Sequence, residues 1–363
     1  MIDSPREVDV VVIGAGQAGL SSAYFLRKAG LSPGDDFVVF DHSDGPGGAW
    51  QYRWPSLTFE TVHGIHQLPG MSVPTPPASA SVAPVVAEYF GAYEAQFDLA
   101  VRRPVSVTSV ADRPDRRLTV TTSAGTWITR AVINATGTWD KPFLPYYPGQ
   151  EVFSGRQLHT VDYGGKASFA GERVLVVGGG ASGIQLLLEI ATVADTFWVT
   201  RREPEFVDRP FDIEWGREVI ARVEDRVRRG LPPESVVKST GYRLTPEIAA
   251  AREAGVLRRR PMFTRMDATG VSWPDGSRLD VDTILWATGF RAALDHLAPL
   301  RLRGHGGGIT MDGTRVAADP RIHLVGYGPS ASTIGTNRAG RTAVRELKRY
   351  LDASSPLPQP VTV

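Results

Sequence analysis

The stretch Glu7–Gly30, EVDVVVIGAGQAGLSSAYFLRKAG, runs from a short apolar segment through a glycine turn into a segment with helical periodicity. It reads as strand, Gly14-x-Gly16-x-x-Gly19 turn, helix. The three glycines serve different ends. Gly14 makes the tight turn, Gly16 lets a pyrophosphate approach backbone amides at the helix N-terminus, and Gly19 lets helix and strand pack closely. The next strand, DFVVFD, ends at Asp41, placed to accept hydrogen bonds from a ribose 2′-hydroxyl. An extra turn, SPGDD, accounts for its greater distance from the glycines. An ordinary cap or loop acid is the alternative reading of Asp41.

The pattern returns in Glu172–Arg202, ERVLVVGGGASGIQLLLEIATVADTFWVTRR. Gly178-x-Gly180-x-x-Gly183, with Ser182 inside the motif, again joins strand to helix, and FWVT reads as the following strand. Here Arg201 and Arg202 stand where the first unit has an acid. An acid repels a 2′-phosphate, whereas a guanidinium binds it through charge-assisted hydrogen bonds, so this unit favours NADPH over NADH. A solvated basic pair is the alternative. A second echo accompanies the first: Ala135-Thr136-Gly137 and Ala287-Thr288-Gly289 each follow an apolar strand, at exits that mark a crossing between domains or a close approach to a cofactor. Ahead of each lies an antiparallel excursion, RPVSVTSVADRPDRRLTVTTSAGTWITRAVINATG and GVSWPDGSRLDVDTILWATG, the latter with an Asp-Gly hairpin signal.

The fold class is therefore α/β, with two Rossmann-like dinucleotide-binding domains and small antiparallel β excursions. Residues 1–165 with 287–363 form an FAD-binding domain, and residues 166–286 an NADPH-binding domain. Between 203 and 260 lie charged helical segments whose polar faces read as solvated. DPRIHLVGYG supplies a late strand, and NRAGRTAVRELKRYL a closing amphipathic helix whose N-terminus can face a flavin. The balance of 40 basic and 39 acidic residues offers no track for nucleic acid. No apolar run reaches the ~20 residues of a membrane span, and the N-terminus lacks a secretory h-region, so the reading is a soluble cytoplasmic protein. A homodimer is left open. With no cysteine in 363 residues, a redox dithiol is excluded, and electrons passed from NADPH to FAD must go on to oxygen, a quinone or a redox protein.

One further segment narrows the choice. Phe153-x-Gly155-x-x-x-His159-x-x-x-Tyr163, within FSGRQLHTVDY, reads as an exposed histidine-bearing loop. It resembles the identifying pattern of the class B flavin-containing monooxygenases, especially their short bacterial members, and the resemblance extends over both glycine fingerprints and both ATG segments. GPGGAW, with Gly48 and Trp50, is similar to that family's flavin-proximal GGxW element. The resemblance implies FAD and NADPH as cofactors, molecular oxygen as co-substrate, a C4a-hydroperoxyflavin oxidant, and a small substrate with a soft sulfur or nitrogen nucleophile. It requires no catalytic side chain and no metal. Tyr163 stands where the related Baeyer-Villiger monooxygenases usually carry tryptophan, which favours heteroatom oxygenation over ketone insertion. The family's asparagine near flavin and nicotinamide is not evident in WPSLTFETVHGIHQLPG, where His63 or His66 is placed to border the two cofactors instead. Gly326-Tyr327-Gly328 replaces the Gly-Asp of many flavin reductases. A flavin-dependent NAD(P)H oxidase or reductase, a Baeyer-Villiger monooxygenase and a non-catalytic nucleotide sensor are the alternatives. By position, His159 organises the junction of the two domains and the placement of nicotinamide.

Overall fold

Four strand segments, VVVI, FVVF, VLVV and ILW, are apolar at successive positions, and all are buried. Strands covered by helices on both faces of a parallel sheet have this composition. A computed structural model describes residues 4–62, 64–208, 213–233 and 241–354, and it places these segments at the centres of two parallel sheets.

In the first sheet, β1 (Arg6–Ile13) lies between β2 (Phe37–Phe40) and β6 (Gly125–Asn134), with Val10 opposite both Phe37 and Ala131. β3 (Val101–Arg102) extends one side, and β19 (Asp319–Leu324) pairs parallel with β6 on the other, with β18 (Arg315–Val316) and β17 (Met311–Asp312) antiparallel beyond it. β6 divides one of its edges between two partners. While β1 pairs along the opposite edge from Trp127 to Asn134, Val132–Asn134 pair parallel with β19, and Gly125–Thr129 pair antiparallel with β5 (Leu118–Thr122), which pairs with β4 (Val107–Asp112). This is the first excursion read from the alternating sequence.

The second sheet is parallel throughout. β12 (Arg259–Pro261), β9 (Asp195–Thr200), β8 (Arg173–Val177), β16 (Thr283–Trp286) and β7 (Arg156–His159) follow one another across it. Its hydrogen bonding thus begins at Arg156, ahead of residue 166, because β7 completes the open edge of β16. β10 (Phe206–Val207) and β11 (Tyr242–Arg243) form a separate parallel pair, and the second excursion forms a small antiparallel sheet of β13 (Arg265–Met266), β14 (Gly270–Ser272) and β15 (Arg278–Asp280), with Gly276 at φ 82° in the expected Asp-Gly turn.

Two helices follow the fingerprint turns, α1 (Gln17–Lys28) and α3 (Ala181–Ile190), while α2 (Val82–Phe97) adds Val86, Tyr89, Phe90 and Tyr93 to the core and meets Tyr24 of α1 through Tyr93 and Phe97. The C-terminal helix Thr333–Ala353 crosses α1 where Gly340 faces Ser21 and Ser22; a Cβ there would lie 3.0 Å from Ser21 Oγ. Within the charged stretch, α4 (Ile213–Arg228) keeps Arg222, Asp225 and Arg228 in solvent, as expected of a solvated face. Its other face is not solvated. Val219, Val223 and Val227, spaced by four, are buried, and Val227 packs with Tyr327, Ile309 and Met311 beside the late strand of the first sheet. Among the described residues no helix is long and apolar enough to cross a membrane.

Candidate functional site

The two glycine turns are built alike, and each rests on one of the ATG alanines. Gly14 N donates to Phe40 O at 2.7 Å, and Gly178 N donates to Val199 O at 2.9 Å. Ala135 N donates to Ile13 O, and Ala287 N to Val177 O, both at 2.8 Å. A Cβ on Gly14 would lie 2.6 Å from Ala135 O, and one on Gly178 would lie 2.2 Å from Ala287 O. Both glycines also have positive φ, 97° and 134°, where a side chain is strained. Gly19 presses on Gly14 O, and Gly183 on Gly178 O and Ala287 Cβ. The small alanine before each Thr-Gly is therefore the floor on which a fingerprint turn sits.

Gly16 and Gly180 open towards free space. The nearest neighbour of a Cβ on Gly16 would be Gly48 Cα at 3.8 Å, and nothing lies within 4 Å of one on Gly180. Gly48, at φ 52°, leans the GPGGAW turn against the first fingerprint, since its own Cβ would meet Gly16 Cα at 2.7 Å. Neither α1 nor α3 has a side-chain cap, whereas Thr245 caps the helix Pro246–Glu253 and Ser332 caps the C-terminal helix. Uncapped first-turn amides at the positive end of a helix dipole, beside a glycine that leaves room, suit a pyrophosphate. Asp41 is buried beside the first turn and accepts from Ala15 N at 2.6 Å and Ser43 N at 2.9 Å, tying the end of β2 to the loop. The late loop also reaches this place, with Gly326 opposite Ala18 Cβ. His66 enters only through its backbone, accepting from Gln17 Nε2 at 3.2 Å. His63 lies outside the described residues.

The second turn has a basic rim. Arg201 and Arg202 are exposed just past β9, and Ser182 is half-buried in the first turn of α3. Beside them stands Arg259 of β12, which sequence reading passed over within a run of charged residues. Its Nε donates to Thr200 Oγ1 at 2.8 Å and its Nη2 to Thr200 O at 3.1 Å, and Nη1 meets Glu203 at 3.1 Å. The run LRRRPM held the signal, because a three-residue strand pairing with β9 must place one arginine at its end. Tyr242 donates its hydroxyl to Gly179 O from the other side of the turn, and burial raises the pKa of that hydroxyl, keeping it protonated.

Between the two sheets the chain crosses twice, and the crossings lie side by side. Phe143 N donates to Gly289 O at 2.9 Å, Arg291 N to Lys141 O at 2.8 Å, and Ala293 N to Gly137 O at 3.0 Å. The ATG threonines reinforce this ladder: Thr136 Oγ1 donates to Ala293 O at 2.6 Å, and Thr288 Oγ1 donates to Phe143 O. Gly137 and Gly289 have positive φ and empty space beside them.

The histidine-bearing segment corrects one expectation. It is not an exposed loop: Phe153, His159 and Tyr163 are all buried. His159 Nδ1 accepts from Val161 N at 3.3 Å and its Nε2 faces Gly289 O at 3.1 Å, which assigns the proton to Nε2. Burial holds its pKa below the usual histidine value, so the ring is neutral and engaged with the second crossing. Phe153 enters the core under the second sheet. Tyr163 stacks on Phe169 and meets Trp54 edge to face at 6.3 Å, joining the two sheets. Gly155 leaves no room for a side chain, since a Cβ would lie 2.4 Å from Asp282 O. The polar lettering of FSGRQLHTVDY conceals this burial because the partners of His159 and Tyr163 are distant in sequence.

The structure thus groups the candidate residues in two places. Gly14, Gly16, Gly19, Asp41, Gly48, Trp50, Thr136 and Gly137 surround the first turn; Gly178, Gly180, Ser182, Gly183, Arg201, Arg202, Thr288 and Gly289 surround the second, with His159 at the junction. Residues 11–253 match the family described as pyridine nucleotide-disulphide oxidoreductase. Without cysteine, the chain has no dithiol for the disulphide chemistry in that description. A flavin-containing monooxygenase of known structure from Stenotrophomonas maltophilia is 39% identical, covers 95% of this chain and 99% of its own, and superposes with a TM-score of 0.80. The chain belongs to the flavin-containing monooxygenase family. This monooxygenase is also 26% identical to human flavin-containing monooxygenase 5, over 77% of this chain and 61% of that protein. It is 29% identical to a Baeyer-Villiger monooxygenase of Streptomyces coelicolor, over 62% of this chain and 43% of that protein. It is accordingly an oxidoreductase.

Proposed function

We propose that the protein binds FAD at the Gly14–Gly19 turn and NADPH at the Gly178–Gly183 turn, and uses them to transfer one atom of molecular oxygen to a soft sulfur or nitrogen nucleophile. The observation that carries this reading is the duplicated glycine turn, each seated on an ATG alanine, in a chain that lacks the cysteines of a disulphide reductase. When bound, FAD accepts the hydride of NADPH and supplies the chemistry that activates oxygen. Overall, NADPH, a proton, oxygen and the nucleophile give NADP⁺, water and the oxygenated product.

The protein's own part is to place and enclose. Helix N-termini and glycine amides hold the two pyrophosphates, and Asp41 offers its remaining lone pairs to a ribose. Arg201 and Arg202, with Arg259 behind them, favour the 2′-phosphate of NADPH. The hydrogen-bonded crossings, with His159 neutral on Gly289 O, tie the second unit to the first and would thereby align the two bound nucleotides. Such alignment is worth many orders of magnitude in rate when the reacting atoms are held near contact. Tyr163, in place of tryptophan, supports oxygenation of a heteroatom; the Streptomyces relative is the observation behind a ketone-inserting alternative.

Product analysis tests the reading. The holoenzyme, given NADPH, oxygen and equal amounts of a thioether and a cyclic ketone, is expected to form sulfoxide in proportion to NADPH consumed. Lactone as the main product would transfer the assignment to ketone insertion, and hydrogen peroxide alone would make the protein an oxidase.

A further inference from the structure

Arg53 differs from the other sequestered guanidinium groups. Arg103 meets both oxygens of Glu94 at 2.5 and 2.8 Å, Arg321 meets Asp319 at 2.7 Å, and Arg130 meets Asp9 at 3.0 Å. Arg53 has no carboxylate within ion-pair distance among the described residues, and its Nε is buried without a hydrogen-bond partner. Its surroundings are aromatic: the guanidinium carbon lies 4.7 Å from the ring centre of Trp139, 5.7 Å from Trp50 and 5.9 Å from Trp54. Ring faces return only part of the hydration that a half-buried cation loses, and desolvation lowers the pKa of this arginine. An arginine left in this state is incomplete without an anion.

Its position relates it to the reaction. Trp50 ends the GPGGAW turn that leans on Gly16, Trp139 lies on the first crossing two residues past Gly137, and Trp54 touches Tyr163. Trp139 stacks in turn on Tyr52, at 6.2 Å and 10°, and on Phe290 of the second crossing, at 5.4 Å and 22°. The acid next to Trp139 is already engaged, since Asp140 meets His42 Nε2 at 3.3 Å. The arrangement is a cationic fork set among flat apolar walls, where the first turn meets the crossings. A carboxylate attached to an aromatic or aliphatic body fits both parts.

We infer that Arg53 is the carboxylate-binding group of the substrate site, so that the nucleophile oxygenated by this enzyme belongs to a carboxylic acid. This rests on the oxygenase reading, and a binding measurement that needs no turnover separates the two. The probes are 4-(methylthio)benzoate and its neutral counterpart methyl 4-tolyl sulfide, used on the flavin-loaded protein. Binding to the oxidised form is read from the flavin difference spectrum, and turnover from sulfoxide formed. The wild type is expected to bind the carboxylate at least about tenfold more tightly than the neutral sulfide, as a charge-assisted pair implies. Arg53→Gln abolishes that ratio and Arg53→Lys restores part of it, in preparations checked for an equal flavin-to-protein ratio. Arg53-dependent binding of the carboxylate without sulfoxide would uphold the inference and overturn the oxygenase reading alone. An unchanged ratio in Arg53→Gln would overturn the inference, as would a wild type indifferent to the carboxylate. So would loss of flavin or of NADPH affinity in both variants with the ratio intact, which would give the guanidinium to a cofactor oxyanion.

Discussion

Gly178→Ala is expected to leave flavin bound and to slow its reduction by NADPH severely, whereas Gly14→Ala is expected to yield protein without flavin. Each substitution adds a Cβ where the backbone leaves no room: 2.2 Å from Ala287 O in the second turn and 2.6 Å from Ala135 O in the first. Each also forces alanine to a φ of 134° or 97°. The combined strain is about 2–5 kcal/mol, enough to displace the turn or the ATG exit beneath it. The two turns lie on different sheets, so the damage is separable. Flavin content per protein and the rate of anaerobic reduction by NADPH distinguish the variants, with the rate in Gly178→Ala falling by roughly a hundredfold or more, the scale of a lost positioning contact. Replacing Arg201 and Arg202 together by alanine is the milder form of the same experiment. It is expected to raise KM for NADPH by about tenfold while KM for NADH moves little, because only NADPH carries the phosphate. Normal reduction of flavin in Gly178→Ala would remove NADPH from the second turn.

The fold is expected to lose stability as pH falls from 6.5 towards 4, through two histidines held neutral in the folded chain, His296 half-buried and His323 buried. His296 meets Asn134 Oδ1 at 2.7 Å in the network that runs on through Thr136, and burial lowers its pKa to about 4. His323, on β19, pairs with Thr314 Oγ1 at 3.0 Å and is likewise lowered to about 4 by burial, with Arg315 adding to the effect. Folded values below the unfolded value of 6.5 mean that the unfolded chain takes up protons first. Stability is therefore unaffected above 6.5 and falls progressively down to the folded values, by on the order of 2–3 kcal/mol for each histidine. His42 works in the opposite sense, since its contact with Asp140 raises its pKa, but that pair is half in solvent and contributes little. Denaturant midpoints measured across this range should fall steeply in the wild type and less steeply in His323→Gln, which keeps a neutral hydrogen-bonding side chain. A midpoint that stays level from pH 7 to 5 would contradict the neutral form of both rings in the folded chain.

Much of this architecture is legible in short stretches of sequence, because its signals are local. Apolar runs on buried strands, glycine spacing in the turns, the Asp-Gly hairpin and the alternation in β4 to β6 each need only neighbouring residues to be recognised. What was missed depends on partners far apart. The burial of His159 is set by Gly289 O, 130 residues away. The pairing of β7 with β16 and the docking of Val227 beside Tyr327 likewise join distant segments. Arg259 acquires its place beside Thr200 only once β12 pairs with β9. Arg53 is the hardest case, since its distinguishing property is a missing counter-ion, and no sequence pattern records one.

Rapid mixing of NADPH-reduced, NADP⁺-bound enzyme with oxygenated buffer tests the central claim most directly. The two-nucleotide oxygenase account predicts a transient absorbance band, distinct from both oxidised and reduced flavin, whose decay accelerates as a thioether is added and yields one sulfoxide per flavin. Immediate return of the oxidised flavin spectrum with stoichiometric hydrogen peroxide, indifferent to the thioether, would contradict it.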